Sequence, residues 1–427
     1  MSENKFKRLQ LARWRQFKEI DVEFSSGVTI LTGRNGTGKT SLLNILAQHT
    51  SFKPSFVAAP HDERTYQKRD SLGRYSSGYW EWYEVSNKFT KVGSIDYDDG
   101  QAVDIMLPTD VGRRVNLTFS GIVSVPTLYI PSHRHFPSSK PVEFIPTDPI
   151  NSISALRSFQ VEYWKQQRGE YTAENPLLKM KQAIISMAAF GPGNNRIVGD
   201  PESYGVLLEF EGRLREIIPK SIGFNRLRVN IPDVILETDT GSFLLDAASG
   251  GLMSLMSITW EITLFGRGQR SFVVLIDEPE NHLHPSMQRE FLPAMVRAFP
   301  EAQFIIATHS PFVVSSVKES SIYAFDVEDA SSSGAASEDL SVVRNAVVAI
   351  KLEPRDRIRA SEVLRQVLGV PLSTPIWVEE ELRQAIAEFR DGDFTVDQLK
   401  ALKQNLEERG LGDFLPDVVI RAAERDA

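Results

Sequence analysis

Residues 33 to 40 read Gly-Arg-Asn-Gly-Thr-Gly-Lys-Thr, which is the spacing G-x-x-x-x-G-K-[ST] of a phosphate-binding loop. The glycines let the backbone curl until successive N–H groups point at one set of oxygens. A helix opening directly afterwards adds the positive end of its dipole. In such a loop Asn35, Gly36, Thr37, Gly38 and Ser41 line the cradle. The Lys39 ammonium reaches the β- and γ-phosphates of a nucleotide, and the Thr40 hydroxyl holds Mg²⁺. A second stretch, Phe272-Val-Val-Leu-Ile-Asp277-Glu278-Pro279, is an apolar run ending in two adjacent carboxylates. A buried strand of that kind delivers acidic groups to the C-terminal edge of a sheet, where open α/β sheets bind their ligands. Asp277 suits a Mg²⁺ shell there, and Glu278, one residue on, can take a proton from an attacking water. The two stretches together describe a site that binds ATP with Mg²⁺ and splits it.

The elements that must position these groups can be read on either side of them. Lys5 to Trp14 and Phe17 to Phe24 alternate apolar and polar residues with period two, as a β-hairpin does. Ser25-Ser26-Gly27 is a turn, and Val28 to Leu31 is a β-branched run leading into the loop. Ser41 to Gln48 then places apolar residues at 42, 43, 45 and 46, one face of a helix. From about 51 to 125 short strands and loops are expected, and the aromatics Tyr79 to Tyr83 are read as sheet packing ahead of base stacking. Leu128 to Ile130 is a further core strand. Residues about 150–190 read as helical, with a seam of Ile153, Leu156, Phe159, Val161 and Trp164. Strand-like pieces follow near 206–210 and 226–237. Ser249-Gly250-Gly251 opens an apolar helix to about Leu264, and Phe304 to Ala307 is another buried strand. Asp329 to Asp339, rich in Ser, Ala and acidic residues, reads as a linker. The expected architecture is α/β: an ATPase domain over 1–328 with a variable insertion over about 51–240, then a helical domain over 341–427.

Composition narrows the class. With 427 residues, 41% apolar and 24% charged, the chain can bury a sizeable core. A formal net charge of -8 argues against salt-driven coating of nucleic acid over the whole surface. The absence of cysteine excludes disulfides, thiolate zinc sites and cysteine nucleophiles. The polar, basic start lacks the apolar segment of a signal peptide, and no apolar run approaches the roughly 20 residues that span a bilayer. A cytoplasmic protein without membrane attachment is therefore expected.

In this order the motifs resemble those of ABC-type ATPases, in the branch that includes the OLD, RecF and SMC-like proteins. Asp277-Glu-Pro-Glu-Asn-His-Leu-His-Pro285 looks like that branch's Walker B and D-loop segment. Ala307-Thr-His-Ser-Pro311 looks like its switch-histidine segment, and Ala248-Ser-Gly-Gly251 resembles the ABC signature. The resemblance covers roughly residues 5 to 325. It implies a P-loop ATPase head with an N-terminal antiparallel β-subdomain, a helical insertion and a C-terminal helical appendage. It also implies that Ser249, Gly250 and Gly251 cap the γ-phosphate bound to the loop of another protomer, and that His309 touches the γ-phosphate or the water. His282 and His284 become D-loop packing residues rather than metal ligands. The family's Q-loop glutamine is missing from Tyr129 to His135, which leaves Arg134 as the nucleotide-side candidate in its place. Trp14-Arg15-Gln16-Phe17 looks like the family's N-terminal segment, which would bring Arg15 near the nucleotide.

No second active site is apparent. The C-terminal part lacks the spaced acidic clusters of the TOPRIM nuclease that OLD proteins carry. Asp391 to Asp397 matches part of a calcium loop without its terminal glutamate. Compact ATPases of this branch resemble the sensor subunits of bacterial phage-defence systems of the Septu, PARIS and retron-associated types. That resemblance implies a homodimer or higher homo-oligomer regulating a separate effector, a nuclease or a toxin. The appendage is then a natural docking surface, although Ile376, Trp377, Leu382, Ile386 and Phe389 read first as its own small core. The alternative is a RecF-like repair ATPase with DNA as its partner. Its groove would draw on Arg213, Arg215, Lys220, Arg226 and Arg228, and on arginines 355, 357 and 359. A transporter subunit is disfavoured, because about 240 residues separate the loop from Asp277.

Overall fold

The alternation at the start of the chain pairs β1 (Phe6–Trp14) with β2 (Phe17–Glu23), antiparallel and with Trp14 opposite Phe17. This is a computed structural model. It describes residues 4–50, 53–57, 59–60, 75–76, 89–108, 114–121, 123–134, 140–146, 150–170, 174–329, 345–352, 380, 384, 396–409 and 411–412. Two compact units divide the chain, Met1–Gly369 and Val370–Ala427.

In the first unit, β3 (Val28–Gly33) is buried along its whole length and runs into α1 (Lys39–Leu46). β4 (Phe89–Tyr97) pairs with β1 and with β5 (Ala102–Pro108), and β6 (Thr118–Phe119) edges β5. β7 (Thr127–Ile130) is followed by α2 (Ser152–Gln167), α3 (Pro176–Phe190) and α4 (Pro201–Ile217). A separate three-stranded sheet comes next, formed by β8 (Phe224–Asn230), β9 (Asp233–Thr238) and β10 (Gly241–Leu244). Then come α5 (Gly250–Gly266), β11 (Phe272–Asp277), α6 (Pro285–Ala298), β12 (Ala302–Ala307), α7 (Pro311–Val314), β13 (Ser320–Asp329) and β14 (Asn345–Lys351). In the second unit α8 spans Val396–Glu408.

The main sheet has the order β6-β5-β4-β1-β2-β14-β13-β3-β12-β11-β7. The strands β6-β5-β4-β1-β2 pair antiparallel, and β14 joins them to the rest, parallel to β2 and antiparallel to β13. The rest, β13-β3-β12-β11-β7, is parallel. Parallel strands covered on both faces are predominantly apolar, and β3, β12, β11 and β7 are buried throughout, whereas β13 is apolar only at its centre. Val273, Leu275 and Ile305 join one core with Leu42, Leu43 and Leu46 of α1. Val274, Ile276 and Ile306 join the opposite core with Phe291, Leu292 and Met295 of α6. The register sets Leu31 beside Ala307 and Ala307 beside Asp277, so three strands end at one level.

The helices α2 to α5 and the small sheet share a third core, with Phe159, Ile184, Phe210, Leu236 and Trp260. α5 serves two cores at once, since Leu255 and Ile258 face the main sheet's cluster while Met256 and Trp260 face the helical one. This explains why its sequence is apolar all round. The Lys181 ammonium is fully buried in this lobe, donating to Asp246 at 2.6 Å, to Asp233 at 3.2 Å and to the Lys140 carbonyl at 2.9 Å.

Three sequence expectations are corrected. Residues 206–210 lie inside α4 rather than in a strand. Asp200 caps that helix by accepting from Ser203 N–H, and Pro201 opens it, whereas the short run Val206 to Phe210 carries no period that separates helix from strand. On α2 the buried face is Ala155, Phe159, Glu162 and Tyr163, and Ile153 of the expected seam is 75% exposed. Residues 345–351, expected in a helical appendage beginning at 341, form β14 between β2 and β13. The first unit therefore continues to Gly369. The aromatic cluster Tyr79 to Tyr83, the linker after Asp329, arginines 355, 357 and 359, the five apolar appendage positions and residues 391–395 of the acidic stretch lie outside the described residues, while Asp397 falls in α8. Among the described residues no helix is long and apolar enough to cross a membrane.

Candidate nucleotide site

The phosphate loop takes its shape from its own sequence. Gly38 is the N-cap of α1 at φ 92°, in the left-handed region, and a Cβ there would meet Gln16 Nε2 at 2.3 Å. Only glycine fits both conditions. Lys39 is buried, and its Nζ donates to the carbonyls of Gly33 at 2.9 Å and Arg34 at 2.8 Å. The Thr37 hydroxyl donates to the Arg34 carbonyl at 2.9 Å, closing the turn. Burial pushes the Lys39 ammonium down to about 8, against the pull of Asp277, Glu278 and Glu280. Asn35 and Gly36 are exposed at the loop's tip, and Ser41 lies in the first turn of α1.

The strand register carries the carboxylates to this loop. The Thr40 hydroxyl lies 3.0 and 3.1 Å from the two oxygens of Asp277, although 237 residues separate them. This hard-oxygen pair fits Mg²⁺, which is held through a few oxygens beside the phosphates rather than in an all-protein cage. Among the described residues no cluster of three or more His, Cys, Asp or Glu forms such a cage. Burial raises the Asp277 carboxyl to about 6, with Thr40 and Lys39 opposing.

Glu278 turns out of the strand at φ 48°, its N–H donating to the Ala307 carbonyl at 2.8 Å. Its Oε2 accepts from Asn281 Nδ2 at 3.1 Å, and its Oε1 lies 3.6 Å from His309 Nε2. That separation is beyond a hydrogen bond, so neither functional atom is committed to the other. Burial, and then the charge of Lys39, lower the pKa of His309 and favour the neutral imidazole.

Glu280 was not singled out in the sequence as a functional residue. Its Oε1 accepts from the Thr308 hydroxyl at 2.7 Å and from the backbone N–H groups of His309 at 2.7 Å and Ser310 at 3.0 Å. One carboxylate oxygen thus fixes the backbone that carries His309. Its position three residues after Asp277 was the only available signal. Gln16, also missed, lies over Gly38 and donates to the Gly36 carbonyl at 3.5 Å.

The remaining sequence candidates take other positions. Ser249 is the exposed N-cap of α5, accepting from Leu252 N–H at 3.3 Å, and Gly250 beside it is exposed too. A Cβ on Gly251 would stand 2.8 Å from the His282 carbonyl, so the turn at His282 packs directly on the start of α5. His284 caps α6 by accepting from Ser286 N–H. Arg15, at φ 56° in the hairpin turn, donates to the Val57 carbonyl at 2.8 Å and stacks 5.1 Å from the rings of Trp14 and Phe56. Arg134 is buried behind the Walker B strand with its donors on backbone carbonyls, rather than extended toward the loop. Among the described residues the four arginines considered for a DNA groove are ion-paired. Arg213 meets Glu209 and Glu301, Arg215 meets Glu211, and Arg226 and Arg228 share Glu237.

Phosphate loop, Thr40–Asp277 pair, paired carboxylates and histidine at one edge of a mixed sheet define the class: the fold and the site are those of an ABC-type ATPase. A family model described as "AAA domain, putative AbiEii toxin, Type IV TA system" matches residues 262–315, and one described as "AAA domain" matches residues 8–55. Within that class the chain is similar to the Septu protein PtuA of Bacillus thuringiensis, at 20% identity over 73% of each chain. It is also similar to the retron Ec83 probable ATPase of Escherichia coli, at 43% identity over 51 residues, which are 12% of this chain and 9% of that one. Among solved structures, the SMC head domain from Thermotoga maritima aligns with a TM-score of 0.42 and 11% identity, covering 82% of this chain and 99% of that one.

Proposed function

We propose that this ATPase works as a nucleotide-driven switch in antiviral defence, closing as a homodimer on two shared ATP molecules and thereby regulating a separate nuclease or toxin. In this reading Lys39 and the loop N–H groups bind the phosphates. Thr40 and Asp277 hold Mg²⁺, which offsets phosphate charge. Glu278 accepts a proton from the attacking water, and His309 meets the γ-phosphate or that water. Ser249 and Gly250 of one protomer complete the site of the other.

The observation that carries the shared site is the contrast within one chain. Thr40, Asp277, Glu278 and His309 stand together, whereas Ser249 is exposed and, among the described residues, its hydroxyl bonds only to its own helix. Similarity to a Septu protein and to a retron ATPase supports the defence setting. Carboxylates already neutralise four of the five basic residues suited to a DNA groove in the described residues, all but Lys220, which weighs against the repair alternative.

The test is phage challenge of cells carrying the native gene region, with copurification of tagged protein. Protection lost with Lys39→Ala, together with a nuclease or toxin that copurifies, is expected. Full protection by Lys39→Ala, or salt-sensitive DNA binding by the isolated protein with no protein partner, sinks the reading.

A further inference from the structure

Arg134 is 4% exposed, and all of its guanidinium nitrogens are engaged. Nη2 donates to the Glu278 carbonyl at 2.8 Å and to that of Pro279 at 3.4 Å. Nη1 donates to the carbonyls of Pro131 at 3.0 Å and Asp277 at 3.3 Å. Nε donates to Ser254 Oγ at 3.3 Å, and Ser254 is fully buried on α5, one turn after the exposed Ser249. A planar five-donor fork can hold this many acceptors at once, and an ammonium cannot.

What the fork holds is strained backbone. Glu278 is a non-glycine residue at φ 48°, a conformation that persists only where its surroundings enforce it. The strand ladder enforces it on one side through Glu278 N–H on Ala307. On the other side its carbonyl accepts from the Arg134 fork at 2.8 Å and, more weakly, from the Asn281 backbone N–H at 3.2 Å, while the Asn281 side-chain amide holds the Glu278 carboxylate and donates to the Ser132 carbonyl at 3.1 Å. The segment that carries Arg134 is tied in turn to α2, where the Tyr163 hydroxyl donates to the His133 carbonyl at 2.6 Å.

We infer that Arg134 is a positioning residue that locks the Glu278 backbone to the signature helix of the same protomer, so that docking Ser249 on a partner's nucleotide sets the aim of that protomer's own Glu278. The inference rests on the shared-site reading above and adds a link between the two sites. In this role the arginine acts through main-chain carbonyls and the Ser254 hydroxyl rather than through the nucleotide.

Four proteins decide it: wild type, Arg134→Lys, Ser254→Ala and the double variant. Each is assayed for steady-state ATPase, for affinity toward a fluorescent ATP analogue and for melting temperature. Arg134→Lys keeps the charge but loses the fork. It is expected to lower kcat roughly a hundredfold, the cost of misplacing a reacting group by about an ångström, while analogue affinity stays within about threefold of wild type. Ser254→Ala removes only the arm to α5 and should lower kcat by a smaller factor at unchanged affinity. The double variant should be no slower than Arg134→Lys alone, because both changes break one linkage. Wild-type kcat in Arg134→Lys, or a loss of affinity at unchanged kcat, overturns the inference. So do multiplicative effects in the double variant. Should Arg134→Lys fail to fold, Ser254→Ala still decides, since wild-type kcat there removes the helix linkage. Glu278→Gln is run alongside: if it turns over ATP as wild type does, the active-site reading itself fails, independently of Arg134.

Discussion

Nε2 of His309 stands 3.6 Å from Oε1 of Glu278, at the ends of two strands that share a register. Both side chains are about one-third exposed, so solvent reaches the gap between them. A water in that gap would be within reach of the carboxylate, which sets the first prediction. Glu278→Gln removes the proton acceptor and keeps the shape. It should bind ATP as wild type does and lower turnover by about 10²- to 10⁴-fold. Single-turnover hydrolysis beside equilibrium binding of an ATP analogue checks this, and wild-type turnover would remove Glu278 from the role of base.

Glu280 supplies the second. Its single oxygen satisfies the Thr308 hydroxyl and two backbone N–H groups, those of His309 and Ser310. Glu280→Ala takes this acceptor from the Thr308 hydroxyl and the His309 N–H at a cost of about 1–3 kcal/mol, while Ser310 N–H keeps the Thr308 oxygen at 2.9 Å, and it loosens the backbone that carries His309. Denaturant melts should show that loss, and kcat should fall further than ATP affinity does. Glu280→Gln, which keeps an acceptor, should lie between the two. Equal kcat in all three proteins would leave Glu280 a purely structural brace.

How much of this was legible differs by residue. The phosphate loop, α1 and the Asp277–Glu278 strand end could be read because each is a local pattern whose chemistry depends on neighbours in sequence. The pairing of Thr40 with Asp277 followed once both motifs were placed on parallel strands. Arg134 was located but its role was not, because its acceptors are carbonyls 143 to 145 residues away and no residue type betrays a carbonyl. Strand β14 was missed for a similar reason. Asn-Ala-Val-Val-Ala-Ile-Lys is a short apolar run that suits helix or strand, and its partners β2 and β13 lie on opposite sides of the sheet centre.

A third prediction concerns pH. Glu261 is fully buried on α5, where burial raises its carboxyl to about 8, opposed by a hydrogen bond from Gln160 at 3.4 Å and by the charge of Arg134. The folded state therefore holds a proton that the unfolded chain releases near the ordinary carboxylate value. Stability from this group is complete below that value and declines as pH rises through about 8, with a slope of up to ~1.4 kcal/mol per pH unit. Glu261→Gln should remove that slope and exceed wild type in stability more at pH 9 than at pH 6. Urea unfolding across that range measures it, and parallel curves for the two proteins would show that Glu261 is charged in the fold.

The shared site predicts complementation. Ser249→Arg protein has every Lys39 opposed by a blocked signature, and Lys39→Ala protein has no loop able to hold phosphate, so each alone should be inactive. A heterodimer of the two pairs one intact Lys39 with one intact Ser249. Equal mixing of exchanging dimers should recover about a quarter of wild-type activity, since half of the dimers are mixed and each has one working site of two. No recovery on mixing, with dimers shown to exchange, would place Lys39 and Ser249 in one protomer's site.

The last prediction follows from β14. A chain cut near Ala330 keeps every phosphate-site residue, which by sequence alone makes it a reasonable ATPase domain. In the fold that cut deletes the strand between β2 and β13, so the β1–β2 hairpin loses its partner on that side. The same hairpin places Gln16 and Phe17 over Gly38 of the phosphate loop, so its displacement reaches the nucleotide site directly. Val347, 2% exposed, would also leave the core that contains Phe17, Phe325 and Leu31. Removing a buried aliphatic side chain of this kind costs about 1–3 kcal/mol even before the strand's hydrogen bonds are counted. The chain ending at Ala330 should therefore melt at lower temperature and bind an ATP analogue weakly or not at all. A chain ending at Gly369 retains β14 and should bind the analogue with wild-type affinity. Thermal melts and analogue titration on both chains decide the matter. Equal stability and affinity of the 330 and 369 chains would show that β14 is dispensable to the sheet.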